Sequence, residues 1–330
     1  MKLEQNTAAL AETGRIYSEK HDNLAVGIEW PTLGIAAVCI VLMPLITYFS
    51  DSFPLVLSVL ALGIVLALQS SLQHEVLHGH PFSSEALNEL LVFLPAGLFV
   101  PYRRFKDTHI QHHYDPNLTD PYDDPESNFL DPKKWDQMGP LHRLIYRMNN
   151  TMFGRMVLGP ALGMICFYTS DLREISRGNT RVLTAYALHF IGFIPLAFWL
   201  TTLSTMPFWA YFCAAYFGMS LLKIRTFLEH QAHEKVPGRT VVIEDRGPLS
   251  LLFLNNNFHS VHHAHPKVVW YRLPQLYALR REEYLRMNQG YLFESYGDVF
   301  RRFLFKAKDP VPHPLRASPC DLDSKQDLPN

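Results

Sequence analysis

Cysteine is scarce in this 330-residue chain, and it is dispersed. The four cysteines, Cys39, Cys166, Cys213 and Cys320, form no CxxC pair. That spacing argues against a disulfide framework, a thiolate zinc site and an iron–sulfur cluster, and leaves lone thiols. Charge is scarce too: charged residues make up 18%, against about 25% in an ordinary soluble domain. The formal net charge is −1, so there is no polybasic or polyacidic argument for nucleic acid. Residues 1–25 hold no leading apolar run, and no cleavable signal peptide is expected. There is no GxGxxG fingerprint, no CxxCH and no His-Pro-Gly-Gly haem loop (His313-Pro314 is followed by Leu315). A fused flavin, nicotinamide or haem domain is therefore not expected. The HExxH zinc pattern is missing as well, because His74-Glu75 is followed by histidine at the wrong spacing.

What the chain does have is apolar length. Hydrophobic residues make up 48%. Trp30 to Gln73 carries one charge, Asp51, and Ser50-Asp51-Ser52-Phe53-Pro54 breaks it in the middle. Each half has about 20 residues, the length an α-helix needs to cross a bilayer. Val182 to Leu222 repeats the pattern with no Lys, Arg, Asp or Glu, and Ser204-Thr205-Met206-Pro207 marks its turn. Two further apolar stretches, Leu90–Pro101 and Met156–Thr169, are too short to span and read as interfacial or re-entrant helices. All 30 Lys and Arg residues lie outside the two turns: 3 in the lead-in, 11 between the hairpins and 16 after them. Positive charge stays in the cytoplasm, which puts both termini and the segments between hairpins on that side. The plasma (inner) membrane of a bacterium is the expected location.

Onto that one face fall the histidines. Nine of the 16 sit in three windows: His74, His78 and His80; His109, His112 and His113; His259, His262 and His263. Positions i and i+3 or i+4 share a helix face, so each window can present imidazoles together. Adjacent histidines point about 100° apart on a helix, so each HxxHH can serve two metals. Eight ligands from three segments suit two metal ions. All-histidine ligation permits zinc, copper or iron. His230 and His233, just after the second hairpin, each offer a ninth ligand, and the choice between them stays open. Outer, ligand-orienting roles are assigned to His80, Asp107, Glu229, Asn255 and His265, with Asp115, Asp245, Asn256 and Asn257 as further candidates. His189 lies inside the second hairpin as a packed helix residue. The expected fold is all-α and integral to the membrane: two transmembrane helical hairpins with a cytosolic helical cap that holds a histidine-rich di-metal site. The spans fall at about 31–50, 53–73, 182–203 and 206–222. Residues 1–29 read as a polar lead-in, 30–308 as the membrane domain and 309–330 as a disordered tail.

The order HxxxH, HxxHH, HxxHH, interleaved with two hairpins, resembles the membrane fatty acid desaturase and hydroxylase superfamily over roughly residues 30–300. Arg225-Thr226-Phe227-Leu228-Glu229-His230 and Asn255-Asn256-Asn257-Phe258-His259-Ser260-Val261-His262-His263, with Pro266, Trp270-Tyr271 and Leu273-Pro274, resemble the third-box region of bacterial members. The resemblance implies a non-haem centre of two iron ions, dioxygen as co-substrate, two external electrons and a lipid substrate. It assigns the ligands to His74, His78, His109, His112, His113, His259, His262 and His263, plus one of His230 and His233. It also implies a separate electron donor, a ferredoxin or small cytochrome with its reductase. Arg280, Arg281, Arg301 and Arg302 are candidates to dock it or to meet lipid headgroups. Three activities remain open: acyl-chain desaturation, hydroxylation of an acyl chain or of an aminolipid such as an ornithine lipid, and metal binding or transport without catalysis.

Overall fold

A computed structural model describes residues 28–316. The polar lead-in up to residue 27 and the tail from residue 317 lie outside the described residues. Helix α1 spans Trp30–Tyr48 and α2 spans Leu55–Leu77. Pro31 sits in the first turn of α1, where its missing N–H costs nothing. Helix α3, Tyr102–Tyr114, carries the second histidine window. Helix α4 spans Met152–Ser176, α5 spans Thr180–Thr202 and α6 spans Phe208–Thr226. The side chains of Thr151 and Asn179 cap α4 and α5. Short helices follow, among them α7, His259–Ala264, with the third window. A two-residue parallel pair, β1 (Val242–Ile243) with β2 (Leu292–Phe293), ties the cap together.

The four expected spans fall on helices α1, α2, α5 and α6, of which α1, α2 and α5 are long and apolar enough to cross a membrane, and the fold is an all-α integral membrane one. Helices close all their backbone hydrogen bonds internally, as a bilayer demands. Phe190, Ile194 and Phe198 form an exposed stripe along α5, the arrangement of a lipid-facing surface. Helices α2 and α6 approach closely through glycine: a Cβ on Gly218 would stand 2.9 Å from the Gly63 carbonyl oxygen. At one end of the bundle the two hairpin turns bind each other. Trp199 Nε1 donates to Thr47 Oγ1 at 2.9 Å, and Thr205 N donates to the Thr47 carbonyl at 3.1 Å. At the other end, Trp270 N donates to Glu75 Oε1 at 2.8 Å and Trp270 Nε1 to Thr32 Oγ1 at 3.2 Å. The cap is thereby seated on α1 and α2.

Two expectations need correction. The stretch Met156–Thr169 is not a short element, because it lies within the 25 residues of α4, which continues through Pro160. This helix is one of four that are long and apolar enough to cross a membrane, with α1, α2 and α5. Helix α6 is not among them, and Lys223 and Arg225 occupy its last turn. Both ends of α4, however, contact elements on the histidine side. Phe153 N donates to the Leu304 carbonyl at 2.9 Å, and Asp171 holds Arg104 of α3 at 2.7 Å. Helix α4 therefore runs along that face of the bundle. The second correction concerns the tail. Residues 309–316 are packed: Leu130 N bonds the Val311 carbonyl at 3.0 Å, and His313 N bonds the Leu130 carbonyl at 2.9 Å. Backbone pairing and the buried side chains of Val311 and His313 hold this Pro-rich segment against the 115–131 loop. Glu29, at the end of the lead-in, is likewise buried against His80.

Candidate metal centre

The three histidine windows meet at the end of the bundle opposite the two hairpin turns. The last turn of α2 brings His74 and His78, α3 brings His109, His112 and His113, and α7 brings His259, His262 and His263. His230 follows α6, in a segment held by bridging between His230 and Thr240. Nine histidines fall into two groups of metal-binding size. His74, His78, His109, His113 and His262 form one; His112, His230, His259 and His263 form the other. Within each group the ligand nitrogens lie within 4.8 Å of one another. Adjacent histidines divide between groups, His112 from His113 and His262 from His263, as the 100° step between neighbouring helix positions dictates.

The nitrogens of each group face one another at short range, with Glu126 Oε2 4.0 Å from His112 Nε2. His112 Nε2 lies 2.9 Å from His230 Nε2, and His259 Nε2 lies 3.1 Å from His230 Nε2. In the other group, His113 Nε2 is 3.0 Å from His109 Nε2 and 3.1 Å from His262 Nε2. Two nitrogens each about 2.1 Å from a shared ion, at right angles, stand about 3.0 Å apart. The buried Nε2 atoms of His74, His78 and His263 have no hydrogen-bond partner at all. A cation set among these nitrogens would satisfy them together.

Carboxylates on the outside decide which nitrogen is bare. His112 Nδ1 donates to Asp124 Oδ1 at 2.7 Å, and His109 Nδ1 donates to Glu126 Oε1 at 2.8 Å. His259 Nδ1 meets Asn256 Oδ1 at 3.3 Å. Asn256 Nδ2 in turn donates to Glu229 Oε1 at 3.0 Å, and Arg225 Nε pairs with that same oxygen at 2.9 Å. With a proton held on Nδ1, each of these rings turns Nε2 toward its group, the nitrogen left for a metal. Burial and the neighbouring imidazoles push His230, His259, His262 and His263 well below the usual histidine range, so they stand neutral. Burial pulls His112 down also, but Glu126, the bond to Asp124 and the Asp124 charge outweigh it and hold His112 up at about 9. Burial opposes the charge of Glu126, yet His109 and His112 keep that carboxyl well below its ordinary value.

Other proposed residues lie elsewhere. His233 is outside both groups; its Nδ1 accepts from Lys235 N at 3.1 Å. His80 bonds Glu29 Oε1 at 2.7 Å and the Lys267 carbonyl at 3.2 Å, away from the ligand nitrogens. Asp107 pairs with Arg181 and lies 3.8 Å from Arg104. Asn255 donates to the Trp270 carbonyl at 3.2 Å, so its neighbour Asn256, not Asn255, meets a histidine. The positive φ of Leu254 and Asn255, 48° and 56°, makes the turn that aims Asn256 inward. The His265 ring packs near Tyr284 and does not join either group. Asp115 caps the Asn117 N–H, and Asp245 accepts from Gly247 N, Ser250 Oγ and Tyr296 N. His189 Nε2 donates to the Leu98 carbonyl at 2.8 Å.

Sequence reasoning missed Asp124 and Glu126. They lie 12 and 17 residues beyond their histidines, in a run of Pro and Asp that signals only turns. Those turns are what return the carboxylates: Asp124 Oδ2 accepts from Thr119 N at 2.8 Å and Oδ1 from Glu126 N at 2.9 Å.

An all-α membrane bundle with two histidine groups at one end is an integral membrane fold with side chains that fit metal ions. Residues 51–295 match the family described as Fatty acid desaturase, and the chain belongs to that family. A search of curated proteins returns no match.

Proposed function

We propose that this chain is a di-iron enzyme that uses dioxygen and external electrons to desaturate the acyl chain of a membrane lipid. The observation that carries the reading is the division of nine histidines, six of them buried and three half-buried, into two facing groups at the polar end of the bundle. His74, His78, His109, His113 and His262 would hold one iron, and His112, His230, His259 and His263 the other. Bound there, the iron pair supplies the oxidising power that removes hydrogen from an unactivated C–H bond.

The chain's own residues bind, orient and exclude water. Asp124, Glu126 and Asn256 fix the tautomers of His112, His109 and His259, so no ligand has to turn when the metal arrives. His109, His112, His259 and His262 are almost fully buried, which keeps bulk water from the oxidising centre. No electron-carrying motif lies in the chain, so a separate ferredoxin or small cytochrome with its reductase delivers the electrons. The Lys and Arg residues outside the hairpin turns favour a cytosolic histidine end, and a bacterial inner membrane is the location this reading proposes.

The test is lipid mass spectrometry of membranes from cells with and without the chain. Loss of two hydrogens from an acyl chain is the expected change. Gain of one oxygen would replace desaturation by hydroxylation, and fragmentation would place it on chain or headgroup. No change in any lipid would overturn the enzymatic reading.

A further inference from the structure

His112 and His259 are held through their rings, Nδ1 to Asp124 and Nδ1 to Asn256. His230, which stands between them, is not. Its Nδ1 is buried and has no hydrogen-bond partner among the described residues. The placement of this ring therefore rests on its main chain. Gln231 N donates to the Arg239 carbonyl at 3.0 Å and Val241 N to the Glu229 carbonyl at 3.1 Å, which sets His230 against Thr240. The His230 carbonyl itself accepts from Lys308 Nζ at 2.5 Å.

Lys308 follows the helix Tyr296–Phe303 and lies beyond the matched residues 51–295. Its side chain is 10% exposed. An ammonium offers three N–H donors, and burying one is costly unless they are used. Lys308 finds three acceptors: the His230 carbonyl, Tyr291 Oη at 3.3 Å and Asp309 Oδ2 at 3.1 Å. Tyr291 Oη extends the support by donating to the Leu228 carbonyl at 2.8 Å. The backbone is fixed as well: Lys308 N donates to the Asn150 carbonyl at 3.1 Å, and Asn150 Nδ2 donates to the Asp309 carbonyl.

Further along, the same segment supports the other side of the His112–His230 contact. Its pairing with Leu130 anchors the loop that carries Asp124 and Glu126. His313 Nε2 lies 3.3 Å from Thr119 Oγ1, and Thr119 N is a donor to Asp124 Oδ2. Arg316 pairs with Asp120 of that loop.

We infer that residues 308–316 form a strap that positions the four-histidine group, with Lys308 as the positioning residue for His230. The inference rests on the reading of that group as a metal site, and its test reads metal binding and not product. The purified, metal-free full chain is titrated with cobalt(II), which imidazole ligates and whose visible absorption follows uptake. Two binding steps are expected, and His230→Ala identifies the step of the four-histidine group by abolishing it. Lys308→Met keeps the length of the side chain and removes its donors. It weakens that step by about tenfold, the lower end of what an outer partner of a ligand contributes, and leaves the five-histidine step unchanged. Tyr291→Phe, a smaller change, weakens the same step by a smaller factor, and it carries the test alone should Lys308→Met fail to insert in the membrane. A role in folding alone would lower the unfolding temperature without separating the two steps. Both steps weakened alike or neither moved in Lys308→Met, or an unmoved step in Tyr291→Phe, would overturn the inference and leave the two-metal reading standing. Uptake of a single cobalt by the unmodified protein would overturn both.

Discussion

His112 and Asp124 stand 2.7 Å apart, Nδ1 to Oδ1, with both side chains buried. On its other edge the same imidazole turns Nε2 toward His230. The carboxylate thus fixes the proton on one side of the ring and frees the other side for a metal. Removing an outer carboxylate of this kind weakens metal binding by about 10–100-fold. Asp124→Asn keeps an acceptor for Nδ1 but loses the charge, and its loss is expected near the lower end of that range. Metal titration of the purified variants checks it, and affinity unchanged by Asp124→Asn would show that the charge is unimportant.

Glu126 serves His109 in the other group. Glu126→Gln can still accept from His109 Nδ1, whereas Glu126→Ala cannot. The expected order of metal retention is unmodified protein, then Gln, then Ala, with Ala about 10-fold or more below the start. Iron analysis after dialysis against a chelator reads the order. Equal retention in all three would remove Glu126 from the account.

His230 and His233 are three residues apart and have opposite predicted consequences. His230 sits between His112 and His259, at 2.9 and 3.1 Å. His230→Ala should empty the four-histidine group and abolish product. His233 faces the Lys235 backbone, and His233→Ala should keep metal content and activity within about twofold, as for surface substitutions generally. Lipid product per iron-loaded protein checks both. Loss of metal in His233→Ala would reverse the assignment.

Metal uptake has a pH signature. In the metal-free protein His112 is held at about 9 by Glu126 and Asp124 against the pull of burial, while burial and its neighbours His109 and His112 push His113 down to about 2. At pH 7, then, His112 carries a second proton, on the nitrogen a metal must take, whereas His113 is neutral. Binding expels that proton, so affinity of the four-histidine group should rise about tenfold per pH unit between pH 7 and 9 and then level. The sign for stability is opposite. A pKa raised from 6.5 to about 9 stabilises the metal-free fold fully below 6.5, and that contribution is lost as pH rises through 9. Calorimetric metal titrations in two buffers of different ionisation enthalpy should report about one proton released at pH 7. Release of none would contradict the His112 state.

Much of this was legible in the sequence because it is local. The pairing of His109 with His112 and His113 needs only helical spacing, and the apolar runs need only length. What escaped is set by tertiary return. Asp124 reaches His112 through a turn-rich loop, and the positive φ of Leu254 and Asn255 makes Asn256 the inward amide in a run of three identical residues. Helix α4 reads as a short apolar patch because its polar ends, Arg155 and Asp171, are recruited into the helix by buried contacts. Residues 309–316 read as a tail because their order comes from pairing with Leu130, far away in the chain.

The central claim is a two-iron centre built from three histidine windows, and elemental analysis with Mössbauer spectroscopy of the purified full chain tests it most directly. Two irons per polypeptide in nitrogen-rich sites, with one lost in His112→Ala while the protein still inserts in the membrane, is the predicted result. A single zinc, no iron, or an unchanged iron count in His112→Ala would contradict it.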